Sequence, residues 1–186
     1  MTKPMNADLD QMLEPLRQST RLFDGIEGED AQRVISWLAV RQLGPGDALV
    51  AEGAGPGGCD FVLEGTVEIV IGDHQDAISI RTLEAPTVIG EVSLLTGQER
   101  MANVYCVTET LTAHLPAVVF DEHVEQGDPV ALRLGLNLGR VASERLHWMR
   151  ERIQDLPVDV AEELDDSPMS LDVKRRLDVY CKGFLG

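Results

Sequence analysis

Glu91 and Arg100 are the residues whose types and spacing can do chemistry in this chain. The arginine guanidinium is planar, permanently charged and able to grip a phosphate through two parallel hydrogen bonds. A glutamate accepts hydrogen bonds from sugar hydroxyls. Residues 91–95, Glu-Val-Ser-Leu-Leu, suit about one turn of helix, and Gly90 before them opens backbone conformations closed to other residues. Amide N–H groups at such a helix start favour an anion. One acid, one base and exposed amides therefore suit a sugar phosphate. The same pair would also serve as a surface ion pair of little energetic worth, so the surrounding chain has to decide.

Composition narrows the partners. The chain has 186 residues, 44% of them hydrophobic, enough for one domain with a real core and a small appendage. With 32 acidic residues against 16 basic ones the net charge is −16, which repels polyanions, and no concentrated basic face offers nucleic acid a landing site. Cys59, Cys106 and Cys181 are odd in number and far apart, so neither a disulfide framework nor a zinc ribbon is indicated. The N-terminus lacks the apolar core of a signal peptide, and no apolar run reaches membrane-spanning length. A reduced, cytoplasmic protein without a membrane segment is the expectation.

The elements that must position the pair read as helices, then strands, then helices. Leu9, Met12, Leu13 and Leu16 fall at helical spacing over residues 7–19, where Pro15 must kink or end the helix. A second helix is expected over residues 30–40, its acidic start favourable at the positive end of the dipole. From Arg41 the pattern becomes β: a Gly-Pro-Gly-Asp turn at 44–47, a short strand over 48–51, and a glycine-rich connection over 52–60. Two strands then flank Gly65, with Val67, Ile69 and Ile71 alternating in the second. His74 and Asp76 sit in a hairpin loop before a strand over 77–83, and two more strands are expected over 104–110 and 111–115. Many short strands at regular spacing indicate a sandwich or barrel.

A short helix over 117–124 leads to a long one, which Pro129 opens and Pro157 ends. Leu134, Leu138, Ala142, Leu146, Met149, Ile153 and Leu156 follow one another at steps of three and four, close to a coiled-coil seam. That face either pairs with a copy of itself or lies on its own barrel. The expected class is α+β: a jelly-roll-like antiparallel β-roll of about eight strands, flanked by N-terminal helices and a long C-terminal capping or dimerisation helix. Its divisions are a helical extension (1–21), the β-roll (22–128), the long helix (129–156) and an acidic linker with a short last helix (157–186).

This order of elements resembles the cyclic-nucleotide-binding domain, in particular the catabolite activator family of bacterial regulators. The likeness covers roughly residues 22–151. Gly46-Asp47 looks like the family's first turn, Glu52-Gly53 its second, and Phe61-Val62-Leu63-Glu64-Gly65-Thr66-Val67 its central strand-Gly-strand. Residues 89–103, Ile-Gly-Glu-Val-Ser-Leu-Leu-Thr-Gly-Gln-Glu-Arg-Met-Ala-Asn, resemble its phosphate-binding cassette. The resemblance implies that Glu91 accepts the ribose 2′-hydroxyl, that Arg100 pairs with the cyclic phosphate, and that Gly90 and Ala102 offer backbone contacts. Val92 and Ser93 extend the cassette, and Val62, Leu63, Val92 and Leu94 are candidates for the pocket wall.

Two residues depart from the pattern. Met101 stands where activators often carry a small hydroxyl residue, and Asn103 replaces the common Thr or Ser. Losing one such charge-assisted hydrogen bond costs about 1.5–3 kcal/mol. For the base, 141–146 look like the activators' capping segment, with Ala142 and Ser143 where two hydroxyl residues usually stand, while counting from Pro129 brings His147 to the base. Ser143 and His147 lie one turn apart on one helix face, and either reaches it.

Activators continue into a winged helix-turn-helix module, for which residues 157–186 are too few. Residues 151–166 hold seven acids and a single arginine and would repel DNA. Beyond them Val173, Leu177 and Tyr180 mark a short amphipathic helix with Lys174, Arg175 and Arg176 on another side. The isolated His74, His114, His123 and His147 lack the His-x-His grouping of a metal-binding cupin, and no nucleophile elbow or P-loop is present. The expectation is a non-enzyme: a stand-alone sensor of cAMP or cGMP without a cofactor, acting through an unknown protein partner or a homodimer built on the long helix. The alternative is a degenerate relative that keeps the fold as an interaction scaffold.

Overall fold

The computed structural model describes residues 6–72 and 77–154. The hairpin tip with His74 and Asp76, and the acidic stretch, basic cluster and last helix expected after Pro157, lie outside the described residues. The chain divides into two compact units, Met1–Ser143 and Glu144–Gly186. The fold and the site belong to the first.

Pro15 acts as expected. Helix α1 (Asn6–Met12) stops and α2 (Glu14–Ser19) restarts with Pro15 in its first turn, where a missing N–H costs nothing. Helix α3 (Gly28–Trp37) ends earlier than its apolar pattern suggests, with Leu38 already extended. The reason is tertiary: Ala39 and Val40, expected in the helix, belong to strand β1 (Ala39–Leu43), which pairs with a strand some seventy residues later in the chain.

Seven further strands follow: β2 (Ala48–Val50), β3 (Gly58–Glu64), β4 (Thr66–Ile71), β5 (Ile78–Glu84), β6 (Thr87–Ile89), β7 (Asn103–Cys106) and β8 (Thr110–Pro116). They form two four-stranded antiparallel sheets in the orders β1-β8-β3-β6 and β2-β7-β4-β5. The α+β class and the eight-stranded antiparallel roll are as expected. Strand β3 takes its first residues from the glycine-rich connection, because Gly58 and Cys59 register against Pro116 and Leu115. The run expected as a strand over 104–110 stops at Cys106, and the chain turns before β8.

Alternation divides the first sheet into two faces. Cys59, Phe61 and Leu63 of β3, Val88 of β6, and Ala113 and Leu115 of β8 pack against Leu13, Leu16, Leu22, Phe23, Val34 and Ile35 of the N-terminal helical segment. Helix α5 (Ala117–Glu125) adds Phe120, and helix α6 (Pro129–Gln154) adds Val130, Leu134 and Leu138. Each such side chain fully buried is worth roughly 1.5–3 kcal/mol. A smaller core of Leu49, Val62, Val67, Ile89, Val104 and Cys106 fills the space between the sheets.

The seam read on the long helix therefore begins on its own domain, since Leu134 and Leu138 are buried in the core. Asn137 between them donates to the carbonyls of Leu22 and Asp24, at 3.0 Å each. Among the described side chains of this helix, the exposed large apolar ones are Leu132 and Leu136 instead. Side chains from position 148 onward, the seam's Met149, Ile153 and Leu156 among them, lie outside the described set.

Candidate functional site

The site grows from a left-handed glycine. Gly90 (φ 88°) turns the chain out of β6 and caps helix α4 (Glu91–Thr96), and Gly97 (φ 69°) closes that helix. The Leu94 amide returns to the Gly90 carbonyl at 3.1 Å and the Gly97 amide to the Ser93 carbonyl at 2.9 Å, so the predicted single turn is held at both ends. Gly90 is required for a second reason: an added Cβ would stand 2.0 Å from Arg100 Nη1.

Arg100 comes back over this turn and is buried, at 8% exposure. Its backbone is clamped by the glycine-rich loop, the Arg100 amide donating to the Ala54 carbonyl and the Gly53 amide to the Arg100 carbonyl, both at 2.8 Å. Its guanidinium donates to two backbone carbonyls, through Nη1 to Gly90 at 3.0 Å and through Nη2 to Gly58. Burial pushes the guanidinium below its ordinary value, and Asp60, Cys59 and Glu91 pull it the other way. Glu91 is itself buried, at 4% exposure. The acid and the base singled out by spacing are thus drawn into one buried site.

The remaining expected site residues divide. Met101 and Ala102 follow Arg100 at intermediate exposure, Val92 is also half-buried, and Ser93 is buried with its hydroxyl donating to the Glu99 carbonyl at 3.4 Å. Val62 lies between the sheets, on the side expected of a pocket wall. Leu63 and Leu94 do not: both pack into the helix-side core. Adjacent strand residues point to opposite faces, so Val62 and Leu63 cannot both line one wall.

Asn103 has its amide engaged at both ends. Its Oδ1 accepts from the Glu52 amide at 2.9 Å and its Nδ2 donates to the Gly72 carbonyl at 3.1 Å. Glu52 closes the circuit by accepting from the Gly72 amide at 2.9 Å. These bonds tie the glycine-rich loop that clamps Arg100 to the end of β4. The Ser143 hydroxyl donates to the Gly139 carbonyl at 2.8 Å, and His147 belongs to the second unit.

A polar cluster that sequence reasoning missed sits on the inner face of the first sheet. Asp60, 1% exposed, accepts from Thr112 Oγ1 at 3.0 Å and Arg41 Nη1 at 3.2 Å, and its other oxygen lies 3.1 Å from His114 Nδ1. An ionised carboxylate only accepts, so opposite a charged Asp60 this nitrogen is the donor. The signal was legible in the alternation: Thr110, Thr112 and His114 interleave with Leu111, Ala113 and Leu115 along β8. Starting β3 at Phe61 hid Asp60 in a loop. Among the described residues no three His, Cys, Asp or Glu side chains gather as a metal site, and no described helix is long and apolar enough to cross a membrane.

Residues 40–127, from β1 through the turn after α5, match the family model of the cyclic nucleotide-binding domain. This segment is a cyclic nucleotide-binding domain. The family is a regulatory one. Among solved structures, a cyclic nucleotide-binding domain from Methylobacillus flagellatus superposes with a TM-score of 0.67 at 18% identity, covering 80% of this chain and 86% of that one. The Thermus thermophilus catabolite activator protein gives 0.61 at 20% identity over 73% of this chain and 62% of the activator. The regulatory domain of Toxoplasma gondii PKA, crystallised with cAMP, gives 0.59 at 23% identity over 75% of this chain and 50% of its own. At these identities the likeness concerns the fold. No curated protein matches the chain by sequence.

Proposed function

We propose that the cyclic nucleotide-binding domain is a regulatory sensor that takes cAMP or cGMP at Arg100 and Glu91 and signals through a protein partner or self-association. The observation that carries this reading is Arg100, a buried guanidinium held over the Gly90 turn beside buried Glu91. A buried arginine is costly unless something compensates it, and an anionic phosphate does so with charge as well as hydrogen bonds. Glu91 supplies the acceptor for a ribose hydroxyl. Isothermal titration with each nucleotide tests the reading: binding is expected, and Arg100→Ala abolishes it. Undetectable binding of both nucleotides at millimolar concentration would end the proposal.

A second reading, a scaffold that no longer binds nucleotide, draws on a different observation. Both arms of Arg100 already have backbone partners, which tie β3 to the start of α4 with no ligand involved. Melting with and without nucleotide separates the two, since a ligand at 100 times its dissociation constant adds about 2.7 kcal/mol. No shift with either nucleotide favours the scaffold.

A further inference from the structure

The buried carboxylate of Asp60 has no part in the reading given so far. Strand register places it beside Arg100. Asp60 stands opposite Ile89, the residue before Gly90, and lies two positions from Gly58 on the same face of β3. The Arg100 guanidinium bridges the carbonyls of those same two glycines. Gly58 is fixed where it stands, because an added Cβ would meet the Leu115 carbonyl oxygen at 2.1 Å and the His114 ring at 3.0 Å. The His114–Asp60 pair, the Gly58 carbonyl and the Arg100 guanidinium therefore form one continuous patch of the inner sheet face.

The two glycine carbonyls give Arg100 hydrogen bonds but no net charge. Asp60 and Glu91 give it charge, and both raise its proton affinity against the effect of burial. Asp60 is only partly neutralised from its other side: the permanently charged donor there, Arg41, has a side chain 38% exposed and screened by water. The field of the Asp60 carboxylate thus reaches Arg100, and an arriving phosphate would have to share that guanidinium with it. Like charges on one site oppose each other.

Resting on the reading that Arg100 takes a nucleotide phosphate, we propose that Asp60 is the resident counter-charge of Arg100, holding the guanidinium in place while the site is empty and weakening the anionic ligand when it is full. It is a positioning and affinity-setting residue that need not touch the nucleotide. Arg41, Thr112 and His114 hold it, and Arg41 in particular tempers its charge. A sensor gains from this arrangement, because its ligand leaves more readily and its empty site keeps its shape.

The test is titration of wild type, Asp60→Asn and Arg41→Gln with cAMP and cGMP, together with melting of each protein without nucleotide. Asp60→Asn keeps an acceptor for Thr112 and removes the charge: its ligand-free form is expected to melt lower while its affinity rises about tenfold. Arg41→Gln leaves Asp60 less neutralised at a half-exposed position, and its affinity is expected to fall about threefold. Opposite signs in the two variants are what a structural role for the cluster would not give. Weaker or unchanged binding by Asp60→Asn, with wild type binding, overturns this inference and leaves the proposed function standing. Should Asp60→Asn fail to fold, Arg41→Gln decides alone, and unchanged or tighter binding by it overturns the inference. If neither wild type nor any variant binds either nucleotide, the proposed function falls and this inference falls with it.

Discussion

Strand β3 carries two chemistries on alternate residues, and the contrast between its faces explains most of the domain. Outward, Cys59, Phe61 and Leu63 enter a core shared with the flanking helices and built mainly of aliphatic and aromatic side chains. Inward, Asp60 joins Thr112, His114 and Arg41 in a hydrogen-bonded cluster next to Arg100. The outer face gains free energy by leaving water. The inner face spends some of it, since a buried carboxylate and a buried guanidinium need every partner they have. One strand thus separates the apolar core from the polar face proposed for recognition at a spacing of a single residue.

The largest test of that separation is Phe61→Ala. Phe61 is fully buried and meets Phe23 edge-on, with ring centroids 6.4 Å apart at 74°. Its truncation is expected to cost about 3–5 kcal/mol, read from denaturant unfolding, with nucleotide affinity of the folded fraction unchanged. Leu63→Ala is the milder version on the same face, with an expected loss of about 2–4 kcal/mol. A large drop in affinity for Leu63→Ala would show that the faces are coupled and that Leu63 reaches the pocket after all.

Much of this division is written in the sequence, and what escaped has a common cause. Glycine and proline act locally: Gly90 at the cassette turn, Pro15 in a first helical turn and Pro129 at the head of α6 hold the places their backbone preferences assign. The Glu91–Arg100 spacing survives folding because the intervening turn is short and self-contained. Ala39 and Val40 were misread because their partners, His114 and Ala113, are far away in sequence, and a strand without its neighbour has no local signature stronger than the helix before it. Asp60 was missed for the same reason, since pairing with β6 and β8 makes its segment a strand. Which of Val62 and Leu63 faces inward is invisible until one residue's face is known; register decides it.

Asn103 asks whether the second sheet also separates the two roles. The residue was expected at the phosphate, yet its amide joins Glu52 and Gly72. Asn103→Ala leaves the Glu52 amide and the Gly72 carbonyl without those partners, at an expected cost of about 1–3 kcal/mol in denaturant unfolding. Because the Glu52 segment leads into the loop that clamps the Arg100 backbone, some affinity should go with it, by less than tenfold. A variant that keeps its stability but loses nucleotide binding would restore Asn103 to the phosphate.

Ser143 gives the smallest expected change in stability and a direct test of whether α6 caps the base. Its side chain is exposed and its hydroxyl is satisfied within the helix, donating to the Gly139 carbonyl one turn back. A surface helix position of this kind contributes little, and Ser143→Ala is expected to move stability by no more than about 0.5 kcal/mol. Affinity is another matter if α6 caps the base. A serine bonded back to its own helix can exchange that acceptor for a purine edge at little cost, because one hydrogen bond replaces another. Under that account titration of Ser143→Ala shows a loss of about two- to tenfold, the worth of one neutral hydrogen bond. Equal affinity of variant and wild type would take Ser143 out of recognition and leave its hydroxyl to the Gly139 carbonyl.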